Sequence, residues 1–302
     1  MLDNDHIDSF LERHRLPDAF RSLIADHYDP LVAWLADKRR GDDSFFLGIN
    51  GAQGTGKSTL ADFLRVALEA DHEWRSAVLS IDDFYLTRAE RESLARKVHP
   101  LLKTRGVPGT HDLRMLSDCL VQLKRLPAGR TAKLPRFDKS TDDRADKSKW
   151  PSVAGPLDVI ILEGWCVGSI AQSREELRQP VNELERDEDR SGAWRNFVNR
   201  NLQRYNAEIF AQLDALVFLK APSFDAVYRW RLEQEQKLAA VSPPDSAGIM
   251  NPCELARFMQ FYERLTRANL ASLAESADVV LELDYNHACS ARRFRRCADH
   301  LP

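Results

Sequence analysis

A chain of 302 residues with 43% hydrophobic content and a formal net charge of −3 can bury a substantial core and is not built as a general polyanion binder, which argues against a nucleic-acid partner. No apolar run approaches the ~18–20 residues of a membrane span, and the acidic start Met1-Leu2-Asp3-Asn4-Asp5 lacks the apolar core of a signal peptide. Five scattered cysteines (Cys119, Cys166, Cys253, Cys289, Cys297) without a C-x-x-C pair indicate neither a zinc site nor a disulfide framework, so a reducing, cytoplasmic setting is expected.

In residues 5–40, Ile7, Phe10 and Leu11, then Phe20, Leu23 and Ile24, then Leu31, Trp34 and Leu35 recur at three- and four-residue intervals. This predicts two or three amphipathic helices, broken near Pro17 and Pro30, that pack on the rest of the chain as an N-terminal extension over 1–42. Phe45-Phe46-Leu47-Gly48-Ile49 then reads as a short buried strand. It enters Gly51-Ala52-Gln53-Gly54-Thr55-Gly56-Lys57-Ser58, which fits G-x-x-x-x-G-K-[ST] at every fixed position. A helix leaves the loop from Thr59, with Leu60, Phe63, Leu64 and Ala67 on one face. Glycines there let consecutive backbone N–H groups turn onto phosphate oxygens, and the helix N-terminus adds a favourable dipole. Gly51 to Thr59 is therefore the expected nucleotide cradle, with Lys57 reaching the β- and γ-phosphates of ATP and the Ser58 hydroxyl on Mg²⁺.

A second buried strand, Ala77-Val78-Leu79-Ser80-Ile81, runs into Asp82-Asp83-Phe84-Tyr85, and the ends of parallel strands are where ligands sit. Residues 87–97 look helical and basic. His99 to Asp112 is too rich in proline and glycine for regular structure, yet carries Arg105, His111 and Asp112, and long ordered loops over a sheet edge tend to be functional. Asp112 is placed equally well to cap a helix over Leu113 to Leu126, and the two roles can coexist. Lys133 to Lys139 reads as a short strand and turn, and the mixed charges of Ser140 to Lys149 as a solvated loop or a substrate-side flap.

The strongest strand, Leu157-Asp158-Val159-Ile160-Ile161-Leu162, delivers Glu163-Gly164-Trp165 at its end, the place of the second metal-side acid in such folds. Residues 173–193 read as a charged surface insertion with no chemistry, and Ala193 to Gln212 as an amphipathic helix. Leu213 to Leu219 is a further strand, leading into a helix over Phe224 to Leu238 that carries Arg229 and Arg231 on different faces. Residues 240–252 read as a loop, followed by a helix through Phe258, Phe261, Tyr262 and Leu265. Ala277 to Leu283 is a last strand, and the basic tail with Arg292, Arg293, Arg295 and Arg296 reads as a solvated helix face. Strands near 45, 77, 158, 214 and 278 alternating with helices predict an α/β fold: a three-layer α/β/α domain over 43–302 with a mainly parallel sheet.

At these motifs the chain resembles a known family. Gly51 to Ser58 followed by Ser80-Ile81-Asp82-Asp83-Phe84-Tyr85 resembles the phosphoribulokinase, uridine kinase and pantothenate kinase branch of P-loop kinases. Arg105-Gly106-Val107-Pro108-Gly109-Thr110-His111-Asp112, Pro135-Arg136-Phe137-Asp138-Lys139, Glu163-Gly164-Trp165 and Tyr228 to Glu235 resemble plant- and fungal-type D-glycerate 3-kinases, in order over roughly residues 10–285. The resemblance implies an ATP- and Mg²⁺-dependent phosphotransferase acting on a small carboxylate-bearing alcohol, D-glycerate giving 3-phosphoglycerate. A related kinase for a nucleoside, pantothenate-like or sugar acceptor, or a nucleotide-binding protein with little transferase activity, are the alternatives. It implies Asp82 as base and Mg²⁺-side acid, Ser58 and Glu163 at the metal, and Arg229 and Arg231 on a lid over ATP spanning about 223–252. It also implies a substrate-side insertion over about 98–156, with Asp83, Tyr85, Arg105, His111, Asp112, Arg136 and Lys139 on the acceptor side. The chain departs from the resemblance at Gly248-Ile249-Met250-Asn251-Pro252 and at Tyr262-Glu263-Arg264.

Overall fold

The computed structural model describes residues 2–241 and 250–295. Its strands are β1 (Phe45–Gly51), β2 (Ser76–Ser80), β3 (Thr131–Lys133), β4 (Phe137–Asp138), β5 (Asp143–Arg144), β6 (Ser152–Ala154), β7 (Val159–Gly164), β8 (Ala215–Lys220), β9 (Val279–Leu283) and β10 (Cys289–Phe294). Six of them form one sheet in the order β10-β9-β8-β1-β7-β2, parallel except for β10. The register sets Ile49 of β1 beside Glu163 of β7, and Ser80 of β2 beside the same glutamate, so β1, β2 and β7 end on one edge.

The central strands β1, β7, β8 and β9 are apolar on both faces, as expected where helices cover both sides of a parallel sheet. Phe46, Ile160, Leu162, Leu216, Phe218 and Val280 enter one core, with helices Leu113–Lys124, Ala193–Glu208 and Pro252–Ala268. Their neighbours Leu47, Ile49, Val159, Ile161, Ala215, Val217, Val279 and Leu281 enter the other, with helices Lys57–His72 and Phe224–Val241. The alternation of side chains along a strand thus divides the interior into two cores and makes the three layers.

The N-terminal helices belong to the second core. Helix Asn4–His14 buries Phe10 and Leu11, and Phe10 and Tyr28 both pack on Phe63 of the helix that leaves the phosphate loop. Pro30 does not break this region as expected. It stands where a π-turn over Ile24–Tyr28 runs directly into helix Asp29–Lys38, the backbone staying helical on both sides, so its missing N–H is absorbed at the widened turn.

Two other expectations are corrected. The basic tail is not a helix face: Cys289–Phe294 pairs antiparallel with β9 as an edge strand, its arginines marking the exposed border of the sheet. Arg296 lies outside the described residues. The insertion over 173–193 is more than a solvated surface: Glu185 and Asp189 are buried and hold Arg264 and Arg195 in ion pairs of 2.6 and 2.9 Å. Sequence composition registered the charge but not the partners, which come from helices Pro252–Ala268 and Ala193–Glu208. Among the described residues no helix is long and apolar enough to cross a membrane.

Candidate active site

The phosphate loop leaves β1 at Gly51, where a Cβ would stand 2.5 Å from Thr55 Oγ1 and 3.1 Å from Lys57 Cγ, so only glycine allows the loop to fold this tightly. Gly54 and Gly56 follow in the left-handed region, at φ +79° and +89°. Thr55 Oγ1 and Lys57 Nζ both donate to the Ala52 carbonyl, at 2.9 and 3.0 Å. No side chain caps helix Lys57–His72 at Gly56, whereas Thr87, Asp112 and Asn251 cap theirs. Its first amides are left for an anion, as a phosphate cradle requires. Gln53 Oε1 is buried there without a hydrogen-bond partner among the described residues, and Thr59 follows in the first helical turn.

Two strand ends meet this loop. Glu163, buried at the end of β7, accepts from Ser58 Oγ at 3.2 Å. Asp82 lies in a single 3₁₀ turn, Ile81–Phe84, that continues β2. Burial lowers the pKa of Lys57, while the charges of Glu163 and Asp82 oppose that shift. Asp82 receives hydrogen bonds from Tyr85 Oη at 2.8 Å and Lys139 Nζ at 2.7 Å. Burial alone would push its carboxyl up; the Lys139 ammonium and these two bonds outweigh it and hold the group below its usual range.

The segment over 98–156 carries helix Leu113–Lys124 and two two-stranded ladders, β3 with β6 and β4 with β5. It is tied to the end of β2 through Asp83, which accepts from Arg136 Nη1 at 2.9 Å and from the Phe137 amide at 3.1 Å. Burial raises the Asp83 pKa in spite of Arg136. Arg105 pairs with Asp142 and lies over the Phe137 ring, and the almost fully buried Arg91 holds the other oxygen of Asp142 at 2.8 Å. Asp112 does cap helix Leu113–Lys124, accepting from the Met115 amide at 3.0 Å, and its second oxygen binds Arg144 at 2.7 Å. His111 stacks on Tyr85 with ring centroids 4.5 Å apart. Trp165 donates to the Gly106 carbonyl at 3.0 Å, and Tyr262 covers Gly106 so closely that a Cβ there would lie 2.3 Å from its hydroxyl oxygen.

The structure thus brings Lys57, Ser58, Asp82, Glu163, Tyr85 and Lys139 into one connected cluster, flanked by Asp83 with Arg136 and by His111. Arg105 and Asp112 stand at its border, each held by a partner in the insertion. The two arginines of helix Phe224–Val241 part company: Arg229 binds the Tyr285 carbonyl and ring at the end of β9, whereas Arg231 pairs with the buried Glu235 and acts electrostatically on Tyr262. Between them Trp230 packs on Gly54, with Gln234 one turn on. Residues 242–249, the rest of the expected lid loop, lie outside the described residues. Sequence reasoning missed Tyr205, Arg91, Arg144, Trp230 and Gln234 as neighbours of the site. Only Trp230 and Gln234 carried a signal, since they fall within the run Tyr228 to Glu235.

No protein-family model matches the chain. It is 34% identical over 271 residues to the chloroplastic D-glycerate 3-kinase of Arabidopsis thaliana, covering 84% of this chain and 56% of that protein. It is 32% identical over 274 residues to a Saccharomyces cerevisiae protein named "Probable ATP-dependent kinase TDA10", covering 83% of this chain and 88% of the relative. Among solved structures, the D-glycerate 3-kinase of Cryptococcus neoformans superposes with a TM-score of 0.75 at 26% identity, covering 90% of this chain and 99% of that one.

Proposed function

The chain belongs to the ATP-dependent P-loop kinase family of these relatives, and we propose that it transfers the γ-phosphoryl group of ATP to a hydroxyl of D-glycerate, giving 3-phosphoglycerate. The observation that carries the transfer reading is a pair of strand-end acids whose charges act on one half-buried lysine. Glu163 is bonded to Ser58, Asp82 is bonded to Lys139 and Tyr85, and both act on Lys57. Simple nucleotide binding needs no second acid so close to the phosphate loop; a transferase needs one beside the incoming alcohol.

Phosphoryl transfer depends on positioning and charge neutralisation more than on covalent chemistry. Lys57 and the amides of Gly51 to Ser58 hold the phosphate tail. The Ser58 hydroxyl and the Glu163 carboxylate, with Asp82 beside them, are hard oxygen donors of the kind that hold Mg²⁺, which supplies further neutralisation of the phosphate oxygens when bound. Asp82 takes the proton of the acceptor hydroxyl as the oxygen–phosphorus bond forms. Its depressed pKa suits a proton that moves late, once the oxygen carries a bond to phosphorus. Of the lid arginines, Arg231 is the better candidate for the γ-phosphate. It is held by the buried Glu235 with its charge acting on Tyr262 beside Gly106, whereas Arg229 is bound at Tyr285 beyond the end of β9.

A carboxylate-bearing acceptor fits the cations of the insertion, Arg136, Lys139 and Arg105, better than a neutral sugar or nucleoside would. The test is a mass-spectrometric search for phosphorylated product with D-glycerate, L-glycerate, uridine and pantothenate supplied together with ATP and Mg²⁺. The expected product is phosphoglycerate formed from the D-isomer. Phosphorylated uridine or pantothenate alone would overturn the acceptor assignment, and no phosphorylated product from any of the four would overturn the transfer reading.

A further inference from the structure

Tyr205 lies on helix Ala193–Glu208, outside every motif, and its side chain is fully buried. Its hydroxyl is fixed from two sides: the Gly109 N–H donates to it at 2.8 Å, and His111 Nδ1 lies 2.9 Å away. The Gly109 amide can only donate, so the hydroxyl's own proton is the one left to fill the contact with His111. An O–H pointing at Nδ1 requires that nitrogen to be bare. Burial keeps the ring neutral, lowering its pKa to about 4. A neutral imidazole with a bare Nδ1 carries its hydrogen on Nε2. The opposite tautomer would orphan two buried groups, the tyrosine O–H and a bare Nε2, instead of one, at roughly 1–3 kcal/mol each.

In the favoured form the single orphan is the Nε2–H, which is buried and has no hydrogen-bond partner among the described residues. His111 itself is 5% exposed. The ring stacks on Tyr85, whose hydroxyl is bonded to Asp82, so the unpartnered donor belongs to the layer of side chains that carries the base. A buried donor without a partner calls for an explanation, and an acceptor oxygen bound beside the ring supplies one.

We propose that Tyr205 is a positioning residue for the acceptor: it fixes His111 as the Nε2–H tautomer, and that hydrogen is donated to an oxygen of the carboxylate-bearing alcohol. The assignment rests on the acceptor class argued above. Tyr205 never touches the substrate and acts only through the imidazole.

The first test needs neither substrate nor variant enzyme turnover. Two-dimensional ¹H–¹⁵N spectra optimised for long-range couplings report which imidazole nitrogen is protonated, with His111 assigned by its loss in His111→Gln. A neutral Nε2–H ring at pH 7 is expected in the wild-type protein; a protonated Nδ1 overturns the proposal outright. The second test is a double-mutant cycle read with the acceptor that the wild-type enzyme phosphorylates. Tyr205→Phe should raise the acceptor KM about tenfold, the upper range of one neutral hydrogen bond, with kcat and the ATP KM nearly unchanged. His111→Gln keeps an N–H donor without a tautomer to fix, so adding Tyr205→Phe to it should leave the acceptor KM within about twofold. Equal effects of Tyr205→Phe in both backgrounds would show a merely structural role and overturn the proposal. A wild-type enzyme that phosphorylates none of the acceptors would instead defeat the transfer reading, and the tautomer result would still stand or fall by the spectra.

Discussion

Acidification offers a direct check on how His111 is buried. Folding lowers its pKa from 6.5 to about 4, because the neutral ring is the form that an apolar surrounding accepts. The unfolded chain therefore binds this proton more tightly, and stability falls as pH drops through the interval between the two values. The penalty fades above about pH 7, and below about 4 it is complete, at about 3 kcal/mol. At pH 5 the linkage relation gives about 2 kcal/mol, against about 0.2 kcal/mol at pH 7. His111→Gln removes the titration while keeping a polar side chain of similar length. Urea unfolding followed by tryptophan fluorescence, at pH 7 and pH 5 on both proteins, isolates the ring. Other acids, Asp83 among them, titrate in both backgrounds and cancel in the difference. The wild type should lose about 2 kcal/mol more than the variant on going to pH 5. Equal losses, within about 0.5 kcal/mol, would mean that the imidazole is not held in a buried neutral form.

Other consequences can be checked on the same protein. Asp82→Asn should abolish turnover with ATP binding largely retained, as measured by calorimetry beside a coupled ADP assay; wild-type turnover would exclude Asp82 as the base. Lys57→Ala should lower kcat by on the order of 10²–10³ through lost stabilisation of the transferring phosphoryl group, and a change of less than fivefold would contradict its placement. Gly106→Ala puts a methyl group 2.3 Å from Tyr262 Oη at φ +137°, and should destabilise the protein by roughly 1–3 kcal/mol in chemical denaturation. An unchanged midpoint would mean that Tyr262 does not close over this loop. Arg264→Met strands the buried Glu185 carboxylate and should cost about 3–5 kcal/mol, whereas the double variant Arg264→Met with Glu185→Met should recover most of it. If the single variant is as stable as wild type, the insertion is not anchored through this pair.

Much of the site was legible because its signals are local. The spacing of Gly51, Gly56, Lys57 and Ser58 follows from what a chain must do to turn amides onto phosphate, and the structure keeps every one of those positions. The strand-end positions of Asp82 and Glu163 were legible because apolar strands that end in acids announce themselves in one dimension. Asp112 announced two roles, and the structure gives it the helix cap together with Arg144. Pro30 misled because a π-turn next to a proline can take up its missing N–H without ending the helix. The basic tail misled because a six-residue edge strand has no face pattern strong enough to set it apart from a helix.

The sequence by itself determined the strand order along the chain, the phosphate loop and the two acids, since each depends on residues within a few positions of one another. Only the tertiary structure decided what those groups touch. Tyr205 reaches His111 across 94 residues, Lys139 reaches Asp82 across 57, and Arg264 reaches Glu185 across 79. Such pairings are set by how helices and insertions pack onto the sheet, and no local pattern encodes them. The same holds for the parting of Arg229 from Arg231. Two positions along a helix guarantee different directions, but which direction meets the phosphate loop depends on where the helix lies against Gly54.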